Sequence, residues 1–130
     1  MKEIDWSSLS FGYMKTDYNV RCWYRNGAWG EIEISSEETL NIHMAATCLH
    51  YGQEAFEGLK AYRCPDGKVR VFRMDENAAR LQSSCRGIMM PELPTELFEE
   101  MVTKVVRLNE GYIPPYESGA SLYIRPLLIG

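Results

Sequence analysis

Apolar and polar positions change period twice along the chain, and each change marks a set of elements. Residues 20–34, VRCWYRNGAWGEIEI, set Asn26-Gly27 between two aromatic-rich runs, the strongest short signal for a β-hairpin. Residues 40–42 predict a further short strand. The stretch LHYGQEAFEGLKAYR, residues 49–63, follows, and in PDGKVRVFR the pair Asp66-Gly67 turns the chain into a strand over 69–73. A meander of antiparallel strands accounts for this half. Strand alternation puts Phe56, Gly58, Lys60 and Tyr62 on one face and Ala55, Glu57, Leu59 and Ala61 on the other.

The period then becomes helical. Asp75 is placed to cap ENAARLQSSCRGIMM, in which Ala78, Leu81, Cys85, Ile88 and Met89 gather on one face. Pro91 and Pro94 interrupt the chain. A second helix is predicted from Thr95, with Glu96, Glu99 and Glu100 early, where negative charge suits the helix dipole. Its apolar stripe is Leu97, Phe98, Met101, Val102, Val105 and Leu108, and Gly111 and Pro114-Pro115 end it. A last strand, SLYIRPLLIG, closes the sequence. The expected fold is α+β, an antiparallel sheet with two helices packed on one face. The apolar run Leu127, Leu128 and Ile129 reads equally as a final core strand or as the point where a longer chain was cut.

Composition narrows the class. A chain of 130 residues, 45% hydrophobic and 25% charged, has the make-up of one ordinary globular domain. Its net charge of -4 is spread out, with no basic run, so nucleic acid is not an expected partner. The N-terminal stretch lacks an apolar core of the secretory kind and no segment is suited to span a membrane, so a cytoplasmic protein is expected. Cys22, Cys48, Cys64 and Cys85 stand far apart without a CxxC pair, which fits reduced thiols. His43, Cys48 and His50 have ligand-like spacing but no convincing fourth partner, and ordinary packing without a metal is expected.

Three places could carry chemistry. Lys60, on a half-exposed strand, is expected to extend its ammonium into water rather than act as a buried amine. Tyr123 and Arg125, two apart in SLYIRP, point the same way. Together they suit a carboxylate, whose two oxygens match the guanidinium fork, or they form a sheet-surface ion pair with Glu57. Arg80, off the apolar helix face, is solvated unless a partner domain covers that rim and supplies an anion. No GxSxG or phosphate-loop sequence occurs.

The blocks LHYGQEAFEGLKAYR, VRVFRMDENAARL and ASLYIRPLLIG, in that order and spacing, closely resemble the first, smaller domain of branched-chain amino acid aminotransferases. These are pyridoxal-phosphate enzymes of the fold shared with D-amino acid aminotransferase. The likeness runs over about residues 11–130, and EAFEGLKAYR favours the branched-chain group over D-amino acid aminotransferase and lyase relatives.

The resemblance implies that residues 1–130 are the small N-terminal domain of a transaminase moving the amino group of leucine, isoleucine or valine to 2-oxoglutarate. It implies that Arg80 holds the cofactor phosphate and that Tyr51 helps bind the substrate α-carboxylate, with Arg125 as its hydrogen-bonded neighbour. Phe11, Phe56 and Tyr123 would line the pocket for the apolar side chain. Strict alternation puts Tyr51 and Phe56 on opposite faces, so a bend near Gly52 or a second subunit's site is needed to reconcile them. The family's Schiff-base lysine lies in the second, larger domain, beyond Gly130, so Lys60 is not that lysine. The chain alone is therefore expected to bind no cofactor and catalyse nothing, and the intact enzyme to be a homodimer or higher oligomer. A non-catalytic association module and the small domain of a related D-amino acid aminotransferase or lyase are the alternatives.

Overall fold

Asn26 and Gly27 both adopt positive φ, 54° and 80°, as a two-residue hairpin turn of the I′ kind requires. They join β2 (Tyr24–Arg25) to β3 (Ala28–Trp29), and the Tyr24 and Trp29 rings, paired across the strands, meet edge to face at 5.2 Å. Outside them β1 (Asn19–Arg21) pairs with β4 (Glu33–Ser35), Val20 facing Ile34. The two ladders differ by one residue in register, so the returning arm carries a bulge between them. This computed structural model describes residues 4–6 and 12–130.

The strand expected at 40–42 does not form. The carbonyls leading into it are taken by side chains: Arg21 Nη2 donates to Glu37 O at 2.7 Å and to Thr39 O at 3.2 Å, and Asn19 Nδ2 donates to Glu37 O at 2.8 Å. A segment whose backbone acceptors are so engaged has less to offer a ladder.

A short helix, α1 (Thr47–Tyr51), ends at Gly52, whose φ of 62° is the left-handed closure that glycine adopts without steric cost. β5 (Glu54–Phe56), β6 (Leu59–Arg63) and β7 (Val69–Val71) follow. At the turn before β7, Asp66 accepts hydrogen bonds from Arg70 at 2.9 and 3.1 Å and from the Lys68 N–H at 3.0 Å, which hold its carboxyl down at about 2.

The final strand is two strands, β8 (Leu122–Ile124) and β9 (Leu127–Ile129), parted at Arg125-Pro126, because proline has no N–H to give a ladder. β8 lies against β6 in the order β7-β6-β8, and β9 lies against β5. Leu59 faces Ile124 and Glu54 faces Ile129, so one antiparallel register runs through both pairs. Continuing it across the gap sets Glu57 and Gly58 against Pro126 and Arg125, and the Glu57 N–H donates to the Pro126 carbonyl at 3.0 Å.

The helices are α2 (Met74–Gly87) and α3 (Thr95–Leu108). Asp75 does not cap α2. Arg73, at φ 53°, precedes the helix directly, so Asp75 and Glu76 fall within its first turn, where their charge suits the dipole. Ala78, Leu81 and Cys85 of α2 are buried as expected, but Ile88 and Met89 are not. The helix stops at Gly87, Met89 turns out at φ 60° with 91% of its surface exposed, and Met90 takes the buried place. In α3 the buried residues are Phe98, Val102 and Val106, so the stripe is centred closer to Val106 than to Val105 and Leu108.

These side chains pack on Ala55, Leu59, Ala61 and Ile124, and both helices cover one face of the strands. The opposite face shows Phe56, Lys60 and Tyr62, as alternation predicted, with Tyr123 of β8 opposite Lys60. Among the described residues no helix is long and apolar enough to cross a membrane.

α3 ends at Asn109 rather than at Gly111, and Asn109 is itself buried. Its Oδ1 accepts from the Tyr18 N–H at 3.0 Å, and its Nδ2 donates to Tyr18 O at 2.9 Å and Val105 O at 2.8 Å. One amide thus closes the helix and anchors the entry to β1. Asn109→Ala leaves the Tyr18 N–H without its acceptor, while Val105 O keeps the residue 109 N–H and Tyr18 O keeps the Thr16 hydroxyl, and should lower stability by about 1–3 kcal/mol. Urea denaturation measures it, and a loss below about 0.5 kcal/mol, typical of a neutral surface change, would show the amide to be dispensable.

Candidate functional site around the break in the strands

From Ala55 to Ala61 the inward row is apolar except at one place. Ala55, Leu59 and Ala61 face the helices, and so does Glu57, only 5% exposed. A carboxylate removed from water needs charged and hydrogen-bonding partners to remain ionised. α2 supplies them. Arg80 Nε donates to both Glu57 oxygens at 2.9 Å and Arg80 Nη2 donates to Oε1 at 2.7 Å. Asn77, three residues earlier and so on the same helix face, donates from Nδ2 to Oε1 at 2.9 Å.

Burial alone would raise the Glu57 carboxyl. The hydrogen bonds from Arg80 and Asn77, with the Arg80 charge, outweigh it and hold the group below the usual glutamate value. Arg80 is raised in turn, first by its hydrogen bond to Glu57. The arginine side chain remains 68% exposed, with its Nη1 outside the pair. It is neither the solvated arginine of the default reading nor a buried one: one edge of its fork is fixed from beneath.

On the opposite face Tyr123 and Arg125 meet. The Tyr123 hydroxyl accepts from Arg125 Nη2 at 2.9 Å and Nε at 3.3 Å. The guanidinium carbon stands 4.5 Å from the centre of the Phe56 ring and 5.2 Å from that of Tyr123, within reach of a cation–π attraction. An ion pair between Arg125 and Glu57 is not formed, because Glu57 faces the helices and binds Arg80.

The structure thus brings Phe56, Tyr123 and Arg125 into one cluster. Glu57 and Arg80 lie on the other side of the same break in the strands. Lys60 faces outward opposite Tyr123. Tyr51 is not on a strand. It ends α1, 84% exposed, and lines an open hollow of about 320 Å³ with Thr47, Gly52, Gln53 and Ile88. The turn at Gly52, not alternation, sets its direction, while the hydrogen bonds of Arg125 go to Tyr123. Phe11 lies outside the described residues.

Glu57 was visible in the sequence only as the partner offered to Arg125, and Asn77 not at all. The signal was available: an acid within an inward apolar row, with an amide and an arginine three residues apart on the covering helix. His43 and His50 make local bonds, His43 Nδ1 accepting from the Ala45 N–H at 3.0 Å and His50 Nε2 lying 2.7 Å from Met44 O. Among the described residues no group of three or more His, Cys, Asp or Glu side chains is placed to hold a metal ion. The four cysteines are free thiols.

No family model matches the chain. The branched-chain-amino-acid aminotransferase of Haemophilus influenzae is 48% identical over 130 residues, 100% of this chain and 38% of that protein. Among solved structures, the Escherichia coli branched-chain amino acid aminotransferase superposes with a TM-score of 0.65 at 29% identity, over 88% of this chain and 33% of that one. A second solved branched-chain amino acid aminotransferase, complexed with N-(5'-phosphopyridoxyl)-L-glutamate, gives a TM-score of 0.61 over the same shares at 29% identity. The chain spans 38% of the length of the curated relatives it matches at 46–48% identity.

Glu57 makes stability depend on pH. Its proton is bound less tightly in the native protein than in the unfolded chain, so its contribution is complete above the ordinary glutamate value of about 4.3. That contribution is lost as pH falls through the lower native value. Glu57→Gln, which carries no such charge, should flatten the fall of the urea midpoint below about pH 4.5. An unchanged acid limb in the variant would remove Glu57 as its source.

Proposed function

We propose that the chain, which spans 38% of the length of the branched-chain-amino-acid aminotransferases it matches at 46–48% identity, belongs to that family and serves as the smaller domain of such a transaminase. The enzyme would move the amino group of leucine, isoleucine or valine to 2-oxoglutarate. The observation that carries this reading is the 48% identity maintained along all 130 residues. The larger cofactor domain, with the lysine that engages the cofactor, lies outside residues 1–130 in this reading. We read the intact enzyme as a cytoplasmic homodimer or higher homo-oligomer. Phe56, Phe72 and Leu127, 56%, 77% and 52% exposed, favour a cover over these apolar surfaces.

Pyridoxal phosphate fits the residues present at one point. Glu57 engages Nε and Nη2 of Arg80, and a guanidinium has further N–H donors for a phosphate oxygen. Arg80 would hold the phosphate, already oriented by the buried carboxylate beneath it. Tyr51 would contribute to the site of the α-carboxylate. Arg125, stacked on Phe56 and bonded to Tyr123, would receive a carboxylate, while Phe56, Tyr123 and Phe11 would bury a branched apolar side chain. When bound, pyridoxal phosphate supplies the electron sink for bond breaking at the amino acid's α-carbon. This chain's own part is to bind and orient, and to keep water from the apolar pocket.

The enzyme carrying this chain should form glutamate from leucine and 2-oxoglutarate, whereas residues 1–130 with added cofactor should not. Borohydride treatment should leave none of the five lysines stoichiometrically labelled. Labelling of Lys60 with turnover of leucine would overturn the division of labour, and absence of activity in the complete enzyme would overturn the reading itself.

Arg80→Ala in the complete enzyme should weaken cofactor retention roughly ten- to a hundredfold, read by absorbance titration. It should also lower the denaturation midpoint, because Glu57 stays buried without its cation. Arg80→Lys should restore only part of the retention, since a point charge cannot reproduce the fork. Unchanged retention in Arg80→Ala would remove Arg80 from the phosphate site.

A further inference from the structure

Gly58 is not a turn glycine. Positive φ is adopted by Gly27, Gly52, Gly67 and Gly119, and Gly58 is not among them, so its backbone would accept an L-residue. What excludes one is space. A Cβ built on Gly58 would overlap the Tyr123 hydroxyl oxygen and lie 3.1 Å from Tyr123 Cζ and 3.3 Å from Cε2. The register explains the approach. Tyr123 stands directly opposite Lys60, and continuing the same ladder sets Gly58 opposite Arg125. The ring therefore leans along the diagonal, over the residue with no side chain, toward Arg125. Diagonal neighbours across a strand pair lie within reach of an aromatic side chain, and rings do cover glycines in this way.

We propose that Gly58 is a positioning residue: its missing side chain lets the Tyr123 ring lie across the strands, where the hydroxyl accepts from Arg125 and fixes the guanidinium that receives a substrate carboxylate. With a methyl group at 58 the phenol must lift. The 2.9 Å bond to Arg125 Nη2 is then lost, and the guanidinium over Phe56 loses the acceptor that orients it. The ligand expected at Arg125 is a 2-oxo acid, so that part of the inference rests on the transaminase reading. The geometric part does not.

The test is a pair of backgrounds. Gly58→Ala in the purified enzyme should lower the thermal midpoint by roughly 1–4 °C, the effect of about 1–3 kcal/mol of overpacking in a protein as long as the relatives it matches. In a Tyr123→Phe background, where the overlapping oxygen is gone, the same substitution should cost less than half as much. With substrate, Gly58→Ala should raise KM for the 2-oxo acid roughly tenfold while kcat changes little. The double variant should regain stability yet keep the raised KM, a split that a purely structural role would not produce. If Gly58→Ala does not fold, recovery in the Tyr123→Phe background supports the inference and failure in both overturns it. Equal losses in the two backgrounds, or an unchanged KM, would also overturn it. An enzyme inactive in every form would instead sink the transaminase reading, while the two-background comparison of midpoints would still decide the role of Gly58.

Discussion

A single buried carboxylate organises this chain. Glu57 interrupts an otherwise apolar row, and a charge in that place is tolerated only with its partners present. Arg80 and Asn77 meet it from α2, which joins helix to strand by directional bonds as well as by packing. Its backbone N–H reaches the Pro126 carbonyl, so the same residue bridges the gap where β8 and β9 part. Hydrophobic contact between Ala55, Leu59, Ala61 and the helices would tolerate some sliding. The ion pair adds a directional tie at the point where the Arg80 and Arg125 clusters come together.

The two clusters divide between two faces of one strand pair. Beneath, Glu57 fixes one edge of the Arg80 guanidinium and leaves the side chain largely in water. Above, Phe56, Tyr123 and Arg125 combine an apolar surface with an oriented cation. The strand pleat makes this possible, since adjacent residues of one strand serve opposite faces. Phosphate recognition and carboxylate recognition, in the transaminase reading, would thus depend on neighbouring residues of a single segment.

Much of this was legible in the sequence where local physics decides. Asn26-Gly27 permits the hairpin turn, alternation from Phe56 to Tyr62 sorted the two faces, and the start of α3 at Thr95 followed from its flanking prolines. The misses share another cause. Asp75 lost its cap because Arg73 adopts a left-handed conformation that propensity does not encode. Met89 left the core because α2 ends two residues earlier than the apolar pattern does. Tyr51 was assigned to a strand because a five-residue helix has too few turns to show its period. For the site, SLYIRP revealed the Tyr123–Arg125 pair, whereas the Glu57–Arg80 pair joins residues 23 apart and depended on how α2 lies over the strands.

The most direct test of this account is a double-mutant cycle between Glu57→Gln and Arg80→Ala, read by urea denaturation at neutral pH. If the pair is the tie between α2 and the strands, the loss in the double variant falls well short of the sum of the two single losses. Losses that add would mean that Glu57 and Arg80 act independently, and would contradict the central place given to their pairing.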